Sequence, residues 1–144
     1  MTPDQKGSIA ETAIVHAAVK LGIGVLKPVS DGERYDLVFD LRPRLIRIQC
    51  KWAVRRGEVV VVRSHSCRRT RAGMLRQCYT ADQIDAFAAY CEELDSCWFL
   101  PIARFPRRST IQLRLEPTRN NQQIGINRAE DSEFERLNWS ALGP

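Results

Sequence analysis

Apolar and polar residues alternate along two neighbouring stretches, Tyr35 to Leu41 and Arg44 to Trp52, with the period of two that marks a half-buried β-strand. Successive strand side chains point to opposite faces. Leu37, Phe39 and Leu41 therefore share one face of the first strand, and Ile46, Ile48 and Cys50 share one face of the second. Folding the two back antiparallel about a turn near Arg42-Pro43, apolar face beside apolar face, sets even-numbered residues of the first opposite odd-numbered residues of the second. That parity places Asp36 against Gln49, with Lys51 two positions further on the same side. A carboxylate, an amide and an ammonium are thus predicted together on one face of a hairpin.

Upstream, Thr2-Pro3-Asp4-Gln5 has capping-box spacing with proline at the first helical position, and Ser8-Ile9-Ala10-Glu11 offers the same signal again. Ala10, Ala13, Ile14, Ala17 and Leu21 form a stripe at helical spacing that Gly22 and Gly24 end, which predicts a helix from 3 or 8 to 21. Residues 23–29 read as a strand stopped by Pro28 and the Ser30-Asp31-Gly32 turn. Beyond the hairpin, the β-branched run Val59 to Val62 predicts a strand that is central or buried on both faces. The arginine-rich stretch 63–76 reads as a long loop on the functional side. Thr80-Ala81-Asp82-Gln83 is a further capping box. It predicts a helix over 80–94, with Ile84, Phe87, Ala88, Cys91 and Leu94 facing the core. Strands over 97–104 and 110–115 follow, then a short acidic helix or coil from Arg128. The fold expected is α/β: a mixed central sheet flanked by helices 3–21 and 80–94.

Charge sharpens this picture. The chain carries 22 Lys+Arg against 17 Asp+Glu, a net charge of +5, and the excess is uneven. Arg63, Arg68, Arg69, Arg71 and Arg76 run without an acidic residue between them, after Arg42, Arg44, Arg47, Arg55 and Arg56, whereas Glu130, Asp131, Glu133 and Glu135 cluster in the tail. A solvated face mixes signs, so a one-signed arginine stretch points to phosphate contacts; the plainer alternative is a soluble basic loop. The 144 residues are one domain's worth of chain, read as a single domain with its core over about 5–115 and a C-terminal extension over 116–144. Five cysteines, an odd number without a Cys-x-x-Cys pair, fit a reducing compartment, and His65, Cys67 and Cys78 lack a fourth zinc ligand. With no secretory pattern and no apolar run of spanning length, the expectation is a soluble cytoplasmic protein without a membrane partner.

A helix bearing Glu11, a strand bearing Asp36, then Gln49-x-Lys51 on the next strand resembles the PD-(D/E)xK nuclease superfamily. Its usual third site is Asp or Glu; Gln49 matches a subset resembling cyanobacterial group I intron homing endonucleases. The likeness runs on through Ser64, Tyr79, Ile84 to Phe87 and Trp98 to Pro101, over about residues 5–105, although Tyr35 stands where the superfamily's Pro-Asp dipeptide has proline. The resemblance implies a restriction-endonuclease-like core and a divalent metal, Mg²⁺ with Mn²⁺ as a substitute. Asp36 would be the direct ligand, joined by the side-chain oxygen of Gln49 and the backbone carbonyl of Cys50, with Glu11 acting through water or on a second ion. Lys51 would orient the attacking water and stabilise developing charge. Glutamine keeps an oxygen donor but removes a negative charge, which predicts weaker metal binding.

Each residue also has a plainer role available. Glu11 could close the Ser8 capping box if the helix starts there, but lies mid-helix if it starts at Thr2. Gln49 and Lys51 could be solvent-facing strand residues, and Asp40 shares Asp36's face but lies nearer the turn. Tyr79 and Trp52 read as core or interface residues. The expected activity is metal-dependent hydrolysis of double-stranded DNA, of homing or restriction type, with Arg63, Arg68, Arg69, Arg71 and Arg76 as DNA contacts. One site per chain implies a homodimer or homotetramer for double-strand cutting. The rivals are a Holliday-junction resolvase acting on branched DNA and a non-catalytic DNA-binding module.

Overall fold

Thr2 Oγ1 accepts the Gln5 amide at 3.1 Å while the Gln5 side chain accepts the Thr2 amide at 2.9 Å. This reciprocal box starts helix α1 (Pro3–Lys20) at the earlier of its two predicted sites. Glu11 consequently lies mid-helix, and the Ser8 capping role is excluded. Gly22, at φ +80°, takes the left-handed turn that ends the helix. The computed structural model describes the chain except residues 106–109, 118–119, 121–124 and 143–144, and describes the backbone alone at 66–69, 74 and 76.

A seven-stranded mixed sheet is built around one long strand. β1 (Gly24–Leu26) pairs antiparallel with β2 (Leu37–Asp40), and β2 with the first third of β3 (Leu45–Arg56). The far end of β3 pairs antiparallel with β4 (Val59–Arg63). β5 (His65–Thr70) and β6 (Gly73–Cys78) form a separate two-stranded ribbon. The middle of β3 pairs in parallel with β7 (Ala86–Cys91), which continues antiparallel to β8 (Ser96–Pro101), and β9 (Thr110–Arg114) closes the other edge against β4. The register Leu37↔Ile48 is the predicted parity, so the two apolar faces do coincide.

One face of the sheet is covered by α1. Ala10, Ile14 and Ala18 pack on Leu37, Phe39, Ile46 and Ile48, and each large apolar side chain buried this way contributes roughly 1.5–3 kcal/mol. The tail returns to the same side: Phe134 is buried, and the Trp139 ring meets Phe39, Phe99 and Phe134 edge-on at 5.0–6.1 Å. The opposite face packs Val60, Val62, Phe87, Trp98, Leu100, Ile111 and Leu113.

The expected α/β class with a mixed sheet holds, but two expected elements are corrected. No helix forms over 80–94. The Thr80 carbonyl accepts the amides of Gln83 and Ile84 at 2.9 and 3.1 Å, and Gln83 Oε1 the Thr80 amide at 3.2 Å, so a single turn and the Gln83 half of the box form. The Asp85 amide then bonds to the Arg47 carbonyl at 2.9 Å and docks the chain on β3 as strand β7. Every residue of β7 is buried, alternately in the two clusters. A short apolar run buried on both faces carries no period that separates strand from helix.

The second correction concerns 63–76, which forms the β5–β6 ribbon rather than a loop. Arg63 and Arg71 are exposed; the side chains of Arg68, Arg69 and Arg76 lie outside the described residues. β4 sits inside the sheet as expected, but Val60 and Val62 are buried while Val59 and Val61 are half-buried, so it is not buried on both faces. The strand expected over 23–29 spans only Gly24–Leu26, that over 97–104 ends at Pro101, and short 3-10 turns make the tail. Among the described residues, no helix is long and apolar enough to cross a membrane.

Candidate active site

β2 begins at Leu37, and Asp36, one residue before it, lies outside the ladder beside the middle of β3. Alternate residues of a strand turn their backbone groups to the same edge. Hence the Ile48 carbonyl accepts the Asp36 amide at 2.8 Å, and two residues on the Cys50 amide donates to Asp36 Oδ2 at 2.9 Å. The carboxylate thereby takes the ladder position that β2 vacates. On the other edge of β3, Gln49 pairs with Phe87 and Lys51 with Ala89 of β7. Asp36, Gln49 and Lys51 are all half-buried.

Electrostatics ties the helix to this point. Burial raises the Asp36 pKa, the Cys50 amide opposes that rise, the negative charge of Glu11 adds to it, and Lys51 and Lys27 counter it. Two carboxylates and two ammoniums thus share one field. Glu11 Oε1 is 2.7 Å from Lys27 Nζ, a bond that raises the lysine's pKa. Lys51 Nζ donates to the His65 carbonyl at 3.2 Å, at the root of the β5–β6 ribbon, and lies 4.8 Å from the Tyr79 ring centroid. The Arg34 guanidinium lies 3.9 Å from that same centroid. Burial pushes the Cys50 thiol well up, which keeps it protonated, so its contribution to a site is through the main chain.

The structure therefore brings Glu11, Asp36 and Lys51 into one electrostatic neighbourhood, with Gln49 and Cys50 on the strand between. Asp40 takes no part: its Oδ1 accepts the Arg42 amide at 3.0 Å and shapes the turn. Arg47 also drops out of the basic surface, bonded through both ends of its guanidinium to Asp85 at 3.1 Å and to the Ala81 and Asp82 carbonyls. Tyr79 is 7% exposed, as a core residue should be, yet it carries both Lys51 and Arg34.

Lys27 was not legible as a site residue. The β1–β2 register, Leu26↔Val38, carries Lys27 level with Leu37 and next to Asp36. Only a register for the short first strand reveals that placement.

The profile of the PD-(D/E)XK endonucleases matches residues 1–135. The chain belongs to the PD-(D/E)XK endonuclease family. This PD-(D/E)XK endonuclease is accordingly a nuclease, and nucleases of the family generally use divalent metal ions. A similar solved structure is that of a bacterial homing endonuclease, I-Ssp6803I, 31% identical, with a TM-score of 0.75 and the match covering 92% of this chain and 89% of that one. The restriction-endonuclease-like fold expected from the sequence is thereby established. Among curated protein sequences, none matches.

The donors offered by this PD-(D/E)XK endonuclease fit a hard cation. Among the described residues, no three His, Cys, Asp or Glu side chains gather as a metal cluster. Two carboxylates that repel one another, an amide oxygen and a main-chain carbonyl instead suit an ion that prefers oxygen and keeps several waters.

Proposed function

We propose that the chain is a Mg²⁺-dependent endonuclease that hydrolyses phosphodiester bonds of double-stranded DNA, with Mn²⁺ as an effective substitute. Asp36, Gln49, the Cys50 carbonyl and Glu11 would hold the metal. The observation that carries this reading is Asp36, seated on the Cys50 amide within the fields of Glu11 and Lys51. A bound magnesium ion supplies charge neutralisation at the phosphate and a water of lowered pKa. Lys51 stabilises the charge that develops on the phosphate, as a compact ammonium reaching from the strand face. Its present bond to the His65 carbonyl sets it beside the root of the basic ribbon.

DNA binding falls to Arg63, Arg68, Arg69, Arg71 and Arg76 on and around that ribbon, a two-stranded element of a width that the major groove admits. The likeness to I-Ssp6803I favours a homing-type enzyme over a restriction-type one. One domain with one site per chain calls for a homodimer or homotetramer to cut both strands. Supercoiled plasmid and synthetic four-way junctions, incubated with Mg²⁺ or EDTA, test the reading. Metal-dependent nicking and linearisation of duplex is the expected result. Exclusive cleavage of junctions would make it a resolvase, and binding without cleavage in any divalent metal a DNA-binding module.

A further inference from the structure

The two carboxylates of the candidate site, Glu11 and Asp36, are balanced by two ammoniums, Lys27 and Lys51. The ammoniums are placed differently. Lys51 lies within the field of Asp36, but its ammonium is bonded to the His65 carbonyl and set over the Tyr79 ring. Lys27 sits directly on Glu11 at 2.7 Å. Its position is set by backbone: β1 pairs with β2 through Leu26↔Val38, Lys27 comes next, and Pro28, which has no N–H to give a ladder, ends the strand there. The side chain is 65% exposed, so its head is free to swing outward once Glu11 has another cation.

A site whose charges already sum to zero resists a divalent ion, because entry would leave two uncompensated positive charges in a half-buried place. Gln49 deepens the problem, since the usual family carboxylate at that position would supply one more negative charge. We propose that Lys27 is the resident counter-ion of the metal site: it occupies Glu11 in the metal-free protein, must vacate that carboxylate when a divalent cation binds, and so sets the metal affinity. The inference rests on the reading of Glu11 and Asp36 as the ion-holding acids. In charge terms Lys27→Met and Gln49→Glu are the same change, one unit of positive charge fewer, reached from opposite sides of the site.

The test is calorimetric titration of Mn²⁺ and Ca²⁺ into the DNA-free full chain, which reads affinity without turnover. Lys27→Met is expected to bind about three- to ten-fold tighter than wild type at equal ionic strength, Lys27→Gln likewise, and Lys27→Arg to match wild type. In a Glu11→Gln background the gain from Lys27→Met should vanish, because the competition is for that carboxylate. If Asp36→Ala loses the metal while Lys27→Met and Lys27→Gln bind as wild type or more weakly, the site stands and the counter-ion role is overturned. A lysine that served only phosphate contact would give that result, together with weaker DNA binding. If Asp36→Ala binds metal as wild type does, the site assignment itself is wrong and the counter-ion role falls with it.

Discussion

The Asp36 carboxylate accepts the Cys50 amide at 2.9 Å, replacing with a side chain the strand partner that β2 stops providing. One carboxylate thus has two tasks, satisfying a part-buried N–H and, on the proposed reading, holding a metal.

These tasks separate by substitution. Asp36→Asn keeps an oxygen acceptor for the Cys50 amide and should leave stability nearly unchanged while abolishing metal-dependent cleavage. Asp36→Ala should lose cleavage too, and in addition about 1–3 kcal/mol of stability, because a buried donor is left without a partner. DNA binding should survive both changes, since neither touches an arginine. Chemical denaturation beside a plasmid-nicking assay measures the split. Cleavage at the wild-type rate in Asp36→Asn would remove Asp36 from the site.

Gln49→Glu restores the family's commoner carboxylate opposite Asp36. If Gln49 faces the ion, Mg²⁺ and Mn²⁺ should bind more tightly, because a negative charge is added without loss of an oxygen donor. An affinity equal to or weaker than wild type would show that the Gln49 side chain points elsewhere.

The hairpin carrying Asp36, Gln49 and Lys51 was legible because one buried face imposes a strict period of two and a single parity. The helix start was legible as a choice between two boxes, and α1 uses the earlier one. β7 was misread because Ala86 to Cys91 is apolar on both faces. Its strand character comes from Arg47 and β3, which lie far away in sequence. The ribbon reads as a loop from sequence because β5 is largely polar and charged and the apolar Met74 and Leu75 of β6 stand side by side, so neither strand shows apolar alternation. Lys27 escaped for a related reason: a three-residue strand has too few positions to fix a register from sequence.

The Arg47–Asp85 pair anchors the entry to β7, and it predicts a pH dependence. Partial burial alone would raise the Asp85 pKa, but the hydrogen bonds from the Arg47 side chain and amide outweigh it and hold the carboxyl below its ordinary value. A depressed folded-state pKa stabilises the fold above the unfolded value, near 3.9 for Asp, and that stabilisation is lost as pH falls through the lower folded value. Asp85→Asn should therefore cost about 1–3 kcal/mol at pH 7. The gap between mutant and wild type should narrow below about pH 4. Thermal denaturation from pH 7 down to pH 3 checks it; a gap that stayed constant would contradict the electrostatic account.

The ribbon sets the last expectation. It leaves the sheet directly after β4, its root carbonyl at His65 holds Lys51, and Arg71 stands exposed at its tip. If Arg68, Arg69 and Arg71 contact phosphates, replacing all three should weaken binding to every duplex sequence alike and flatten the dependence of log K on log salt by about 0.9 per lost contact. Base reading would instead confine the loss to single target positions, on the order of 1–3 kcal/mol each. Titrations of random and target-bearing duplexes across a salt series distinguish the two. Unchanged affinity and slope in the triple variant would take the ribbon out of the interface and move the DNA to the exposed Arg42, Arg44, Arg55 and Arg56. Because Lys51 is bonded to the ribbon's root, phosphate contact there should also register at the chemical step. Single-turnover rates measured at saturating DNA should then fall in the triple variant, which a ribbon serving affinity alone would leave untouched.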